Sequence, residues 1–261
     1  MCTIMLLYKQ LADFPIVVAM NRDGLNDRLE KPPSFLSEYP VVFAPEDVKS
    51  GGTWIGVNEY KLFAALTNGY QPDRELIANN RSRGILVLDV LKKARNPQEA
   101  IELVNKQCSE NYENSEDRFK FFNLFLLSAD EAFLLKYNGK TDVEELKAGT
   151  FFHYSSGYDD GLVKKLREGR LNELFHDYRS SSIDACLGKL KESCRDHFDR
   201  APSETDVCMH GNPRRTISST LFAIPDKDLS KLKCEYLFGY PCEKNYTKII
   251  PNFSNSMLEL K

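Results

Sequence analysis

Cys2 carries more chemistry than any other residue in this chain, because of the bond in front of it. Removal of Met1 leaves a free α-amine and a thiol on one residue. An α-amine has a reference pKa of about 7.7–8.0, so part of it is unprotonated near neutral pH and can act as a base. A thiol, with a reference pKa of about 8.5, is a strong latent nucleophile. One residue then supplies both nucleophile and base. With Met1 kept, the amine lies one residue away and the arrangement fails. The plainer reading of Cys2 is a small core residue.

Thiol acyl transfer also needs donors for a developing oxyanion and fixed charge around the amine. Asn21-Arg22-Asp23-Gly24 offers the charge. Either Arg22 or Asp23 can orient the amine or bind a substrate carboxylate. Asn68, in Thr67-Asn68-Gly69, can stabilise an oxyanion together with neighbouring backbone N–H groups. Each also has a plainer role: Asp23 closes an Asx turn, Asn68 caps one, and Arg22 is solvated surface. The histidines form no Cys-His pair by spacing. His153 falls in a strand-like stretch, His176 and His197 on predicted helices, and His210 in a loop. Phosphate loops, HExxH and paired zinc motifs are missing from the sequence.

The elements that must position these groups begin with Cys2-Thr3-Ile4-Met5-Leu6-Leu7-Tyr8, an uncharged strand. Ile16 to Met20 makes a second strand and the pair a hairpin; the second strand runs directly into the charged cluster Asn21-Arg22-Asp23-Gly24, with a turn expected after it. An irregular stretch with Pro32, Pro33, Pro40 and Pro45 follows, then a second hairpin from Thr53 to Leu66. Helices are predicted over Arg83 to Lys93 and Pro97 to Cys108, and strands over Phe121 to Ser128 and Ala132 to Tyr137. Asn138-Gly139 is a tight turn. Two further helices, Gly161 to Tyr178 and Ser182 to Phe198, carry apolar faces at Leu162, Leu166, Leu174 and at Ile183, Leu187, Leu190. Strands return at Ile217 to Ile224, Lys233 to Gly239 and Thr247 to Ile250. Hairpin blocks with helices grouped between them predict an α+β fold with antiparallel sheets.

Composition narrows the function classes. The chain's 261 residues, 42% hydrophobic and 28% charged, suit a globular protein with a full core. No linker-like segment divides it, so one domain over residues 1–261 is expected. With 35 basic against 38 acidic side chains, a broad nucleic-acid surface is not expected. Neither a secretory leader nor a transmembrane run is evident, which predicts a cytoplasmic protein. Seven cysteines without a CxxC pair fit reduced thiols better than a disulfide framework. Cys194 with His197, and Cys208 with His210, have ligand-like spacing. Ile183, Leu187, Leu190 and Cys194 repeat on one helical face, however, so Cys194 reads as core and no metal site is expected.

Several motifs in one order resemble a known family. They are Met1-Cys2-Thr3-Ile4, Asn21-Arg22-Asp23-Gly24, Gly51-Gly52-Thr53-Trp54-Ile55-Gly56, Leu66-Thr67-Asn68 and Arg81-Ser82-Arg83-Gly84. Phe122-Asn123-Leu124 and Arg215-Thr216-Ile217-Ser218-Ser219-Thr220 extend the likeness over nearly the whole chain. Together they resemble the NRDE-motif family, that of transport and Golgi organisation protein 2. The resemblance implies a fold like the N-terminal-nucleophile hydrolases, a four-layer αββα sandwich with two antiparallel sheets. It implies Cys2 as nucleophile, Asp23 as the acidic partner of its amine and Asn68 on the oxyanion side. Arg22, Trp54, Ser156 and Arg215 are the implied substrate contacts. Two departures stand out. Gly24 replaces the glutamate of the family signature, and Tyr154-Ser155-Ser156-Gly157 lacks an asparagine on the oxyanion side.

Two functions follow as expectations. One is cysteine-dependent amide hydrolysis or acyl transfer on a small acylated amine, which needs no cofactor. The other, implied by the resemblance, is a non-catalytic trafficking role with haem as a reversible ligand, since no CxxCH motif supports covalent attachment. Oligomeric state has no sequence signal.

Overall fold

The computed structural model describes residues 2–71, 81–110, 118–155, 161–179 and 182–253. In chain order the elements are β1 (Cys2–Tyr8), β2 (Ile16–Leu25), β3 (Glu30–Glu38), β4 (Val41–Asp47), β5 (Ile55–Asn58), β6 (Phe63–Asn68), α1 (Arg83–Lys93) and α2 (Pro97–Glu110). Then come β7 (Phe122–Leu127), β8 (Ala132–Tyr137), β9 (Thr141–Glu145), β10 (Gly149–Ser155), α3 (Leu162–Phe175), α4 (Ile183–Cys194), β11 (Arg214–Ile224), β12 (Lys233–Phe238) and β13 (Thr247–Ile249). Packing divides the chain into two compact units, each assembled from separate stretches. The first holds β1, β2, β10 to β13, α3 and α4; the second holds β3 to β9, α1 and α2.

The first unit is a six-stranded antiparallel sheet in the order β10-β1-β2-β11-β12-β13. The predicted hairpin forms: β1 and β2 pair from Tyr8 opposite Ile16 to Cys2 opposite Arg22. The turn expected after the charged cluster forms too, with Arg28 N donating to Leu25 O at 3.0 Å, but the second strand is longer than Ile16 to Met20. β2 runs on to Leu25, because the long strand β11 offers Arg215 and Arg214 as partners for Gly24 and Leu25. Long-range pairing keeps Asn21, Asp23 and Gly24 extended despite their low strand propensity. Helices α3 and α4 cover one sheet face through Met5, Leu7, Val17, Ala19, Leu221 and Ala223.

α4 buries Cys186, Leu187, Leu190 and Cys194, as its periodicity predicts. α3 differs from expectation. Leu162 and Leu166 are 69% and 40% exposed, while the buried stripe is Arg167, Leu171 and Phe175. These lie four residues apart on one face, and the charge among them is satisfied by partners described below. Asn21, buried on β2, fastens the end of α4. Its amide donates to the carbonyls of Cys194 and Val207, both at 2.9 Å.

The second unit is a seven-stranded meander, β3 through β9 in sequence order, with α1 and α2 packed on its Val42, Ala44, Ala64, Leu124 and Leu126 face. The proline-rich stretch expected to be irregular forms β3 and β4. Pro32 and Pro33 sit on edge strand β3, where pairing skips from Lys31 to Ser34. Pro45 lies beyond Val42 and Phe43, the part of β4 that pairs with β5. A missing N–H costs little at such positions. β9 is also an edge strand, mostly exposed and acidic, so no apolar run announces it. Among the described residues no helix is long and apolar enough to cross a membrane.

Two motif glycines in this unit aim α1. A Cβ on Gly52 would collide with the carbonyl carbon of Gly84. That closeness lets Thr53 N donate to Gly84 O at 3.0 Å, beside the Ser82 cap on Ile85 N. Gly52→Ala is expected to push away the first turn of α1 and cost about 3 kcal/mol. Urea denaturation reads this as a lower midpoint at unchanged slope; wild-type stability would contradict the packing argument.

Candidate functional site

Cys2 opens β1 with 7% of its surface exposed, opposite Arg22 on β2 and Ser155 on β10. Burial pushes its thiol above the ordinary range, and the Asp23 carboxylate adds to that effect. Arg22 and the backbone N–H of Asp23, which hydrogen-bonds the thiol, act the other way.

The Asp23 carboxylate is held from both sides. Its Oδ2 accepts from Arg167 Nη1 at 2.7 Å, and its Oδ1 from Thr216 Oγ1 at 2.7 Å. The Asp23 and Arg167 side chains are both wholly buried. Arg167 Nη1 also donates to Thr3 Oγ1 at 2.9 Å, Nε to the Thr205 carbonyl at 3.1 Å and Nη2 to the Glu204 carbonyl at 3.3 Å. Its guanidinium lies 4.3 Å from the centre of the Tyr154 ring. A buried charge is tolerable only when paired and hydrogen-bonded in this way.

Thr216 reaches Asp23 through a bulge in β11. Thr216 pairs with Asp23 and Ser218 with Arg22, which leaves Ile217 as the extra residue. Such an insertion re-aims the side chains around it. A Cβ on Gly24 would come 3.2 Å from Ile217 Cγ1, so a glutamate there would crowd the bulged residue. The displaced Ile217 carbonyl accepts from Gly239 N at 2.7 Å.

The remaining expected residues fall as follows. Arg215 is half-buried opposite Gly24, with its guanidinium 5.1 Å from the centre of the Tyr240 ring. Asn68 and Trp54 belong to the second unit. Asn68 ends β6 opposite Phe122, and Gly69 N next to it donates to Phe121 O at 2.7 Å. Trp54 is buried and its carbonyl accepts from Leu66 N at 2.8 Å. Ser156 lies outside the described residues. Arg167 and Thr3 were not singled out from the sequence. The available signal was a charge placed four and eight residues before Leu171 and Phe175 on one helical stripe.

One grouping was not foreseen. Cys194 is fully buried in the core, as expected, but His197 is not helical because α4 ends at Cys194. His197, Cys208, His210 and Cys242 gather with one ligand atom from each within 4.8 Å of the others.

The family model described as Transport and Golgi organisation 2 matches residues 1–229 of the chain. The Transport and Golgi organization protein 2 homolog of Bos taurus is 30% identical over 146 residues, which cover 53% of this chain and 49% of that protein. The match thus spans about half the length of this curated relative. Among solved structures, penicillin V acylase from Agrobacterium tumefaciens is similar at a TM-score of 0.54 and 13% identity, covering 91% of this chain and 83% of that one. A mutant of conjugated bile acid hydrolase from Clostridium perfringens gives 0.54 and 10%, covering 97% of each chain. These likenesses show the fold: the α+β class of the N-terminal-nucleophile hydrolases, here with two antiparallel sheets.

Two outcomes follow from the geometry. Asp23→Asn or Arg167→Met alone strands a buried charge and should cost about 3–5 kcal/mol. The double variant should cost less than the sum, and strict additivity in denaturation midpoints would contradict the coupling. Because burial raises the Cys2 pKa, less thiolate is present at neutral pH than for an ordinary cysteine. Its alkylation by iodoacetamide should therefore keep rising with pH after exposed thiols have levelled off; an earlier plateau would contradict this.

Proposed function

The chain belongs to the Transport and Golgi organisation 2 family, and from the surroundings of Cys2 we propose that it is a cysteine N-terminal-nucleophile amide hydrolase or acyltransferase acting on a small acylated amine. The observation that carries the reading is a cysteine opening a buried strand beside a carboxylate fixed by Arg167 and Thr216. Such a carboxylate can orient an amine without moving itself.

In this mechanism cleavage after Met1 frees the Cys2 amine. The amine takes the thiol proton, directly or through one water, and the sulfur attacks the carbonyl carbon. The proton passes to the departing nitrogen as the C–N bond breaks, leaving a thioester on Cys2. Water, deprotonated by the same amine, releases the acid and restores the thiol; an acceptor amine or alcohol in its place gives acyl transfer. The oxyanion role that the resemblance gives Asn68 predicts a loss of about 10²–10³ in kcat for Asn68→Ala.

Protein beginning at Cys2, incubated with activated amides of varied acyl length, should gain the mass of one acyl group on Cys2. Cys2→Ala and chain retaining Met1 should gain none. Processed protein that never acylates would defeat the proposal. The family's description in terms of transport supports a carrier role beside the chemistry; haem is the ligand that the sequence resemblance implies for it. A haem titration that leaves the Soret band unchanged would remove that reading.

A further inference from the structure

We propose that His197, Cys208, His210 and Cys242 hold one zinc ion in a closed, tetrahedral site of two thiolates and two imidazoles. The four come from three separated segments of the first unit: the loop after α4, the stretch before β11 and the turn after β12. Convergence of two sulfurs and two histidines from distant segments is the donor set that zinc selects.

The distances fit the ion. Cys208 Sγ lies 3.6 Å from Cys242 Sγ and 3.6 Å from His210 Nε2, and His210 Nε2 lies 3.2 Å from Cys242 Sγ. With Zn–S near 2.3 Å and Zn–N near 2.0–2.1 Å, a tetrahedron has edges of about 3.8 Å between sulfurs and about 3.5 Å between sulfur and nitrogen. These three edges match within a few tenths of an ångström; with all four ligand atoms within 4.8 Å of one another, an inward swing of the His197 ring would complete the tetrahedron. A disulfide would need its sulfurs at about 2.0 Å, and both cysteines are free.

A second observation points the same way. His197 Nε2 is buried without a hydrogen-bond partner, a state that calls for a ligand. Its ring meets that of His210 edge-on, with centroids 5.0 Å apart. His210 is itself fixed by stacking on Tyr240, 3.9 Å between centroids and 6° between planes. Cys208 is fully buried while Cys242 is exposed, so the ion has a way in. Binding displaces two thiol protons and moves no electrons, and the two thiolates neutralise the ion. Four protein donors leave no open position, which marks a structural site.

The ion would brace the Asp23 network. Between its ligands Cys208 and His210, Met209 exchanges two bonds with Thr216: Met209 N to Thr216 Oγ1 and Thr216 N to Met209 O, each at 2.9 Å. Thr216 in turn holds Asp23. The zinc proposal does not depend on acyl chemistry at Cys2.

The test uses the full chain, expressed with added zinc and purified under reducing conditions without chelator. Elemental analysis should find about one zinc per chain. Exchange for cobalt should give intense tetrahedral d–d bands and thiolate charge-transfer absorption. Cys242→Ser, at an exposed position, should lose the charge-transfer intensity of one thiolate and release its metal on dialysis. Cys108→Ser, in the other unit, should keep both. Protein that carries almost no zinc and gives no cobalt bands would overturn the site. So would a metal-free Cys208–Cys242 disulfide that persists through purification under those reducing conditions, or cobalt bands that survive unchanged in both Cys242→Ser and His210→Gln.

Discussion

The buried ion pair between Asp23 and Arg167 is the constraint on which the rest of the first unit depends. Charges without solvent must have every donor and acceptor met, and here the partners come from four places. Thr3 lies on β1, Thr216 on β11, Tyr154 on β10, and the Glu204 and Thr205 carbonyls on the loop before β11. Asp23 itself lies on β2 and Arg167 on α3. A shift of any one strands a charge worth several kcal/mol. A hydrophobic pair of the same volume would hold the fold as well, so the pair is better understood as fixing geometry than as adding stability. What it fixes is a carboxylate beside the sulfur of Cys2.

Motif residues divide by role in this light. Cys2 and Asp23 are the residues the proposed reaction uses, while Asn21 on β2 ties down the end of α4. Gly52 and Gly84 exist to let two backbones touch. Gly24 lies against the bulge: a Cβ there would meet Ile217 Cγ1 at 3.2 Å, so a larger residue needs Ile217 to give by a few tenths of an ångström. A signature therefore mixes residues selected by packing with residues suited to reaction, and only the geometry separates them.

Much of the fold was legible because local pattern decides it. Cys2–Tyr8, Arg83–Lys93 and Ala132–Tyr137 begin and end where the apolar runs and periodicity say they should. The errors share one cause, which is that distant partners decided the outcome. Pro32 and Pro33 enter a strand because that strand is an edge. Asn21 to Gly24 stay extended because β11 reaches them. α3 turns Arg167 inward, with Leu171 and Phe175, because Asp23 awaits it, and Leu162 is left exposed. The meeting of Cys208 with Cys242, 34 residues apart in sequence, is likewise invisible to spacing.

Everything proposed for the reaction requires that the amine beside this sulfur be free. Intact-mass analysis of the protein taken from its own cells, with sequencing of its first residues, tests that directly. The account predicts a mature chain whose first residue is Cys2. A chain that still carries Met1 would contradict it, and would leave the Asp23–Arg167 network as a structural device around a buried thiol.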